Sequence, residues 1–589
     1  MTALRLPDDQ ATAQAAGRTV APRIGARAVC EALVREGVTT VFGYPGGTVL
    51  PIYDVLREFP LRHILVRHEQ GGAHAADGFS RATGGVGVAI ATSGPGAINL
   101  VTGLATAMMD SVPMVAITGN VPRALLGKDA FQETDIVGIA LPVTKYATVV
   151  MDPDEVPLAV AEAFEIARSG RPGPVLLDFP KDVLQVETSA PHPEKHELRL
   201  PGLLRPERGD VPEADELAEL ISQAERPLIL AGHGVQIADA TDLLRQVAER
   251  SEVPVAHTLL GIGNIDETHR LSAGYAGMHG WMHVNKAIQQ CDLLIGIGCR
   301  YDDRITGKTS TFAPNATIVH VDVDRSEIGK NVRTDLGIVA DAGDLLTALL
   351  ARLLQAEPRT EWLEQIAEWR KVSESRSWHG SGAWRQGRLS ADYVIDRIGA
   401  ATDHEAILVS DVGQNQMWAA RYFGFRKPFH HLSSGGLGTM GYAVPAAMGA
   451  ALGAPERETW AVVGDGGFQM TMQELATLVQ DQIPVRIAVL NNHRLGMIRQ
   501  WQEIIYDENY HSAELLGPDL VRLCEAYGIP AWRATKPDEV DAVIAEARKA
   551  PGPALIDFHL DEAQNVYPMM LPGKGLSEMV EGATERTGE

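Results

Sequence analysis

AVVGDGGFQMTMQELATLVQDQIPVRIAVLNN, residues 461–492, reads as strand, helix and strand in one run. The flanking pieces are short, apolar and rich in valine, while the intervening GFQMTMQELATLVQD is long enough for a helix and lacks proline. The unit is therefore a βαβ crossover with parallel strands. Both strands end at the carboxyl edge of the sheet, where open α/β sheets bind ligands, and they deliver Asp465 and Asn492 there. A carboxylate, an amide oxygen and a backbone carbonyl suit Mg²⁺, which takes oxygen ligands and shares its site with phosphate. Gly466 and Gly467 let backbone N–H groups and the helix N-terminus approach that phosphate. GDG by itself could be a plain strand-to-helix turn; Asn491-Asn492 at this spacing makes it a site. Just upstream, Gly436-Leu437-Gly438-Thr439-Met440-Gly441 matches GxGxxG and, with Asp465, imitates a dinucleotide fingerprint. The strand needed before it is poor, since HHLSS is polar, and Asp465 is better placed for a metal than for a ribose.

The same alternation extends across the chain. VTTVFGYPGG, GVGVAIATSGPG, VPMVAITGN and GPVLLDFP form one block, PLILAGHG, CDLLIGIG and ATIVHVDVD a second, and AILVSDVG, TWAVVGDGG, VRIAVLNN and ALIDFHL a third. Continuously apolar strands separated by helices indicate parallel sheets covered on both faces, so the fold class is α/β with three doubly wound parallel-sheet domains. Breaks in the pattern give a disordered tail (1–22), a first domain (23–186), a linker (187–212) and a middle domain (213–356). A second linker (357–390) holds the charged helical piece EWLEQIAEWRKVSES, and a third domain (391–575) and a C-terminal tail (576–589) follow. GRPGPVLLDFP (170–180) resembles APGPALIDFHL (550–560), which suggests that the first and third domains are duplicates. The alternative is that Pro-Gly-Pro before an apolar strand is common turn chemistry.

Length agrees with this division, because 589 residues exceed what one core can hold. Hydrophobic residues at 45% and charged residues at 22% exclude a largely disordered chain. With 52 Lys plus Arg against 76 Asp plus Glu, the net charge is 52 − 76 = −24, and no basic block offsets it. Such a surface repels nucleic acid and anionic lipid. No apolar run approaches the ~18 residues of a membrane span. Four scattered cysteines without CxxC point to neither zinc nor a disulfide framework, and a cytoplasmic location fits them.

In the first block His68-Glu69-Gln70 closes the strand HILVR, which would put Glu69 at a carboxyl edge beside the turn Tyr44-Pro45-Gly46-Gly47. A strand-end glutamate can equally be solvated, and Ser93-Gly94-Pro95-Gly96 can be a simple turn.

Taken together the motifs resemble the thiamine-diphosphate-dependent 2-oxoacid enzymes, and within them the acetohydroxyacid synthase large subunits. The resemblance runs from about Ile24 to Met579. It is carried by GYPGGTVLPIYD, LVRHEQGGAHAADG, ATSGPGAINLVT, DAFQETDIVG, GRPGPVLLDFPKDV, GMHG, RYDDRITGK, SSGGLGTMGYAVPAA, GDGGF, LNNHRLGMIRQWQ and YPMMLPGKG. Thr48 and Trp281 depart from the family's common residues, which bears on substrate preference and inhibitor response.

The resemblance implies pyrimidine-binding, FAD-binding and diphosphate-binding domains in that order, with thiamine diphosphate, Mg²⁺ and FAD as cofactors. It implies that Asp465, Asn492 and the Arg494 carbonyl hold the metal. Gly413, Gln414, Asn415, Gly438, Gly466 and Gly467 would surround the diphosphate end, Met440 would bend the cofactor, and Glu69 would meet its aminopyrimidine ring as the catalytic carboxylate. Phe131, Gln132, Lys145, Met278, Arg304 and Trp501 resemble residues around the second substrate. Arg171, Gly232, Gly234, His279, Arg300, Asp302, Asp322 and Asp341 fall at flavin-binding positions; GHGVQ and GIGCR alone, as incomplete fingerprints, would not reveal a flavin. The implied reaction joins pyruvate to pyruvate or 2-oxobutyrate with loss of CO₂, at the start of branched-chain amino acid synthesis. Glu69 and Asp465 would serve one cofactor from different subunits, so a homodimer or homotetramer is expected, and a regulatory small subunit is a further partner the resemblance allows. Competing readings are glyoxylate carboligase, pyruvate oxidase or a non-catalytic flavin-binding homologue. The joint presence of Glu69, Arg304 and Trp501 argues against the first two, and that of Asp465, Asn492 and Glu69 against the third.

Overall fold

The computed structural model describes residues 22–194, 211–375 and 387–582, and its main framework is three parallel sheets of six strands each. The first holds β1 (Thr40–Gly43), β2 (Arg62–Leu65), β3 (Gly87–Ala91), β4 (Met114–Asn120), β5 (Tyr146–Val149) and β6 (Pro174–Pro180), in the order β2-β1-β3-β4-β6-β5. The second holds β7 (Pro227–Ala231), β8 (Val255–His257), β9 (Ser272–Tyr275), β10 (Leu293–Ile297), β11 (Thr317–Asp322) and β12 (Leu336–Val339), ordered β12-β11-β10-β7-β8-β9. The third holds β13 (Ile407–Ser410), β14 (His431–Ser433), β15 (Thr459–Gly464), β16 (Val485–Asn491), β17 (Ala531–Ala534) and β18 (Ala554–His559), ordered β14-β13-β15-β16-β18-β17. Every residue of β4, β6 and β16 is buried, as the continuous apolar runs require when helices cover both faces.

Numbered from their own first strands, the first and third sheets share the order 2-1-3-4-6-5, so the repeated Gly-Pro-apolar motif does mark two domains of one architecture. The middle sheet differs. Counted from β7 it reads 3-2-1-4-5-6, the dinucleotide-binding order, with its switch point between β7 and β10.

The first and third domains meet along two helices, α1 (Glu69–Thr83), against which α2 (Val101–Asp110) also packs, in the first and α3 (Ala443–Gly453) in the third. Small residues let the backbones touch. A Cβ on Gly78 would sit 2.0 Å from the Ala446 carbonyl oxygen, and one on Gly449 would sit 1.8 Å from that of Ala75. Any side chain at either position would therefore force these helices apart.

Three local expectations change, and the helical piece of the second linker forms as expected. The strand HILVR ends at Leu65, and Glu69 is the first residue of α1, where the His68 Nδ1 accepts a bond from the Gln70 N–H. The polar HHLSS does contain a strand, β14, whose His431, Leu432 and Ser433 are all buried; Ser433 Oγ donates to the Ser410 carbonyl and accepts from Gln416. The helical part of the 357–390 linker is a helix, Thr360–Ser375, docked on the middle domain, with Trp362 Nε1 donating to the Pro227 carbonyl. The tail beginning at 576 is partly a hairpin: β19 (Met569–Met570) pairs antiparallel with β20 (Met579–Val580), and Leu576 is buried. The reading of residues 1–21 as a tail lies outside the described residues, as do 195–210 within the first linker, 376–386 within the second, and 583–589. Among the described residues no helix is long and apolar enough to cross a membrane.

Candidate active site

β15 and β16 pair in parallel with Gly464 opposite Leu490, so Asp465 and Asn492 leave neighbouring strand ends together. Asp465 is buried, and its Oδ1 accepts from the Gly466 N–H at 3.1 Å. Burial pushes its carboxyl up to about 7, against a downward pull from the backbone N–H groups of Gly466, Asp465, Arg494 and His493. Asn492 Oδ1 accepts from the Arg494 N–H at 3.2 Å, and its amide donates to Gln414 at 3.3 Å. The Arg494 guanidinium pairs with Glu514 at 2.6 Å and Glu562 at 3.2 Å, which leaves the backbone as this residue's offering to the edge. Among the described residues no three His, Cys, Asp or Glu side chains form a metal cluster. One carboxylate, one amide oxygen and a carbonyl nevertheless fit an ion that takes its remaining ligands from phosphate and water.

Close packing shapes the same edge. A Cβ on Gly467 would lie 2.5 Å from Asp411 Oδ1, and one on Gly466 would lie 2.8 Å from Leu495 and 3.5 Å from the Met440 methyl. Asp411 is a residue the sequence reading missed. Fully buried, it accepts from the N–H groups of Gly441 and Ala443, and so holds the end of the loop carrying Gly438 and Met440. Burial raises its carboxyl to about 6. The available signal was its position at the end of AILVSD, matching Asp465 at the end of AVVGD. Gly413 precedes the helix Gln414–Tyr422, while Gln414 donates to Gln500 at 2.8 Å and Asn415 to the Asp411 carbonyl at 2.9 Å. These two side chains are thus turned into the protein.

On the first domain Glu69 is buried, and Asn99 Nδ2 donates to its Oε2 at 2.9 Å. Gly96 leaves Oε1 uncovered, since a Cβ there would stand 3.0 Å from it. Phe131 is 88% exposed, and Gln132 packs against Gly94 with a left-handed backbone at φ 61°. Lys145 donates to the Ser169 and Ile166 carbonyls, capping the helix Val156–Arg168, and burial pulls its ammonium down to about 8. That placement makes it a helix-end residue within this chain.

A cavity of about 540 Å³ lies where all three domains meet. From the middle domain it is lined by Arg171's neighbours across the seam, namely Gly234, His279, Arg300, Asp302, Asp322 and Asp341, with Arg171 itself coming from the first. Met278, Arg304 and Trp501 also line it, as do Gly413 and Gly438. Glu69, Asp465, Asn492, Phe131, Gln132 and Lys145 do not. Gly232 and Gly298 follow β7 and β10 at the switch point: Gly232 N donates to the Ile297 carbonyl, Gly234 N to that of Gly298, and a Cβ on Gly234 would lie 2.7 Å from the Gly298 Cα. The backbones therefore cross with no room for side chains at the switch point, where sheets of this order bind their ligands.

Acidic side chains at this wall are tied to backbone. Asp341 accepts from Gly343 N at 2.8 Å, Asp302 from Arg304 N at 3.1 Å, and Asp322, raised to about 6 by burial, from Asp324 N at 2.8 Å. Arg300 reaches Asp302 at 3.3 Å and Arg171 reaches Glu327 at 2.9 Å. His279 is buried with Nδ1 unpartnered, and burial drives its ring down to about 3. Arg304 keeps 58% of its side chain exposed, with one guanidinium nitrogen 3.1 Å from the Met278 sulfur. Trp501 lies in the helix Gly496–Ile505, under two turns from its start, and residues 492–495 between Asn492 and that helix are not helical.

The chain, built of two domains of one sheet order and a third of dinucleotide-binding order, is a thiamine pyrophosphate enzyme. The N-terminal binding-domain model of that class matches residues 23–139, the central-domain model 214–349 and the C-terminal binding-domain model 411–558. The acetolactate synthase large subunit of Parasynechococcus marenigrum is 47% identical over 567 residues, 94% of this chain and 90% of its own length. That of Corynebacterium glutamicum is 46% identical, covering 97% and 92%, and a probable one from Methanocaldococcus jannaschii is 46% identical, covering 95% of each. The chain belongs to the acetolactate synthase large-subunit family.

Proposed function

We propose that this chain condenses pyruvate with a second 2-oxoacid, pyruvate or 2-oxobutyrate, releasing CO₂ and giving 2-acetolactate or 2-aceto-2-hydroxybutyrate. One observation carries the reading: Arg304, Met278 and Trp501 share a single cavity with the Gly413 and Gly438 turns of the third domain. The residues fit the cofactors the family implies. Asp465, Asn492 and the Arg494 carbonyl would hold Mg²⁺ on the diphosphate of thiamine diphosphate, and Gly466 and Gly467 let the backbone beside them pack against Leu495 and Asp411. Bound there, that cofactor supplies the carbon nucleophile and electron sink that no side chain offers.

The chain's own residues orient and exchange protons. Asn99 occupies Glu69 Oε2, which leaves Oε1 to hold a proton against the aminopyrimidine ring. The exposed Arg304 fork suits the carboxylate of the incoming oxoacid, and Trp501 suits its alkyl group. The glycine crossing at the β7/β10 switch point, with Arg171, Arg300, Asp322 and Asp341 along the cavity, suits FAD. Joining two oxoacids with loss of CO₂ moves no electrons to an acceptor, so the flavin's part is structural.

Phe131 and Gln132 lie outside the cavity in this chain, which supports a homodimer or homotetramer in which a second copy brings them to it. Four free, buried cysteines, with Cys30 and Cys524 pushed up to about 12 by burial, support a reducing compartment such as the cytoplasm, and the proposed products place the reaction at the start of branched-chain amino acid synthesis. The test is incubation of the purified chain with pyruvate, thiamine diphosphate, Mg²⁺ and FAD. Acetolactate should form without O₂ uptake, and 5-deaza-FAD should replace FAD. Stoichiometric O₂ consumption, or no acetolactate, would overturn the proposal.

A further inference from the structure

The loop that carries Gly438 and Met440 is fastened from the first domain. Gly435 N and Gly436 N donate to the two oxygens of Asp110, at 3.0 and 2.6 Å. Arg81 donates to Asp110 at 2.9 Å, to Asp77 at 2.8 Å and to the Ser433 carbonyl at 3.1 Å, and Tyr442 Oη donates to Asp77 at 2.6 Å. The Thr106 and Thr439 hydroxyls are 2.8 Å apart. The side chains of Asp77 and Asp110 are wholly buried and that of Arg81 is nearly so. Two carboxylates against one guanidinium leave a buried negative charge, and the loop's N–H groups supply the missing donors. Were the loop to lift, a buried carboxylate would lose its partners, so each holds the other in place.

The same turn of chain reaches the middle domain. The Asp110 carbonyl accepts from His233 Nδ1 at 3.1 Å, between Gly232 and Gly234, and Ser111 Oγ accepts from Arg171 Nε at 2.9 Å. Met109, Asp110 and Ser111 all line the central cavity. A group filling that cavity therefore presses on the element that fixes the loop.

We propose that Asp110 is a positioning residue that couples the two cofactor sites: its carboxylate sets the Gly435–Gly441 loop and its backbone ties that setting to the wall of the middle-domain cavity. This rests on the reading of the two sites as thiamine-diphosphate and FAD sites. Binding free energies are reciprocal, so if filling the cavity sets the loop and tightens the diphosphate site, filling that site tightens the cavity's ligand by the same factor. An asparagine at 110 can accept from one loop N–H but would present its own N–H₂ to the other and to Arg81. Gly436→Ala attacks the same contact from the loop side, because its Cβ would lie 2.8 Å from Asp110 Oδ1. That variant leaves the Asp77–Arg81–Asp110 ion pairs in place and covers the case in which Asp110→Asn does not fold.

The experiment is calorimetric titration of thiamine diphosphate with Mg²⁺ into the full chain, without FAD and at saturating FAD. In the unaltered protein FAD should tighten binding by about tenfold, within the usual range for coupled sites. In Asp110→Asn and in Gly436→Ala the ratio should fall towards one while FAD still binds, and Asp178→Asn, a buried carboxylate away from the loop, should keep the full ratio. Equal affinities with and without FAD in the unaltered protein, or the full ratio in both loop-contact variants, would overturn the coupling alone. Failure of the unaltered protein to bind either cofactor would instead overturn the proposed function, and the coupling with it.

Discussion

The first and third domains share their strand order, and they also share a buried pair at the sheet edge. Asn120 donates to Asp178 at 2.5 Å in one, and Asn491 to Asp557 at 2.9 Å in the other. The registers start at Gly87 opposite Met114 and at Thr459 opposite Val485. Six residues on, Ser93 stands in the first domain where Asp465 stands in the third; seven on, Val121 stands where Asn492 does. The frame is kept, and the chemistry changes just past the strand ends. A hydroxyl and an isopropyl group cannot replace a carboxylate and an amide as cation ligands, so of these two edges it is the third domain's that offers the donors proposed for a metal-bound diphosphate. The first domain instead holds a buried Glu69 at the start of α1, with Asn99 orienting it. A duplicated fold thus supports two duties because the sites sit on its turns.

The comparison breaks most plainly at Asp465. Asp465→Asn should weaken Mg²⁺-dependent binding of thiamine diphosphate by more than about 100-fold, beyond what loss of a residue merely supporting a metal ligand costs. Ser93→Ala should leave it essentially unchanged. Calorimetry on both variants checks this, and equal losses would mean that the two edges are not functionally distinct.

A second difference follows the strands. Beyond Val121 the chain makes one short 3₁₀ turn, Arg123–Leu125, whereas beyond Asn492 it enters the helix bearing Trp501. One methylene in a hydrophobic contact is worth about 10–200-fold at most. Trp501→Leu should keep acetolactate formation within about tenfold while largely erasing any preference for 2-oxobutyrate over pyruvate. Competition between the two oxoacids reads the ratio; an unchanged ratio in a folded, cofactor-binding variant would remove Trp501 from the site.

The smallest effect concerns the paired carboxylates themselves. Burial raises Asp178 to about 6, only partly offset by Thr118 and Asn120. Burial acts on Asp557 too but is outweighed by His559, Asn491 and Arg533, which hold it below its ordinary value. Stability from protonated Asp178 is full below its ordinary 3.8 and is lost as pH rises through about 6. Stability from ionised Asp557 is present above its ordinary 3.8 and is lost as pH falls through its depressed value. Asp178→Asn should therefore flatten the decline in melting temperature between about pH 4 and 6. Asp557→Asn should cost most at neutral pH and least in acid. Both changes should be about 2–4 °C in thermal unfolding scans.

Much of this organisation was legible because buried parallel strands have to be apolar on both faces, which makes VRIAVLN and MVAITGN stand out. Asp465 and Asn492 were legible because strand ends mark a sheet's binding edge. Glu69 was read as a strand end because HILVR is continuous in sequence, whereas β2 is an edge strand that stops four residues earlier. β14 was discounted because its histidine and serine are polar, yet each is buried with a hydrogen-bond partner supplied by a distant segment. The dinucleotide-type cradle was hidden because Gly232 and Gly298 come from strands adjacent only in space. Asp411 and Asp110 were missed for a similar reason: their partners lie in other segments, and composition carries no trace of such contacts.

The division of labour between the duplicated domains is tested most directly by Glu69→Gln. Exchange of the thiazolium C2 proton for deuterium, measured by acid quench and NMR on the thiamine diphosphate bound to the protein, isolates proton transfer from metal and diphosphate binding. With this division of labour, Glu69→Gln should retain Mg²⁺-dependent cofactor binding while exchange slows by at least about 100-fold, the low end for a positioned proton-transfer group. Exchange at the unaltered rate in the cofactor-bound variant would contradict it.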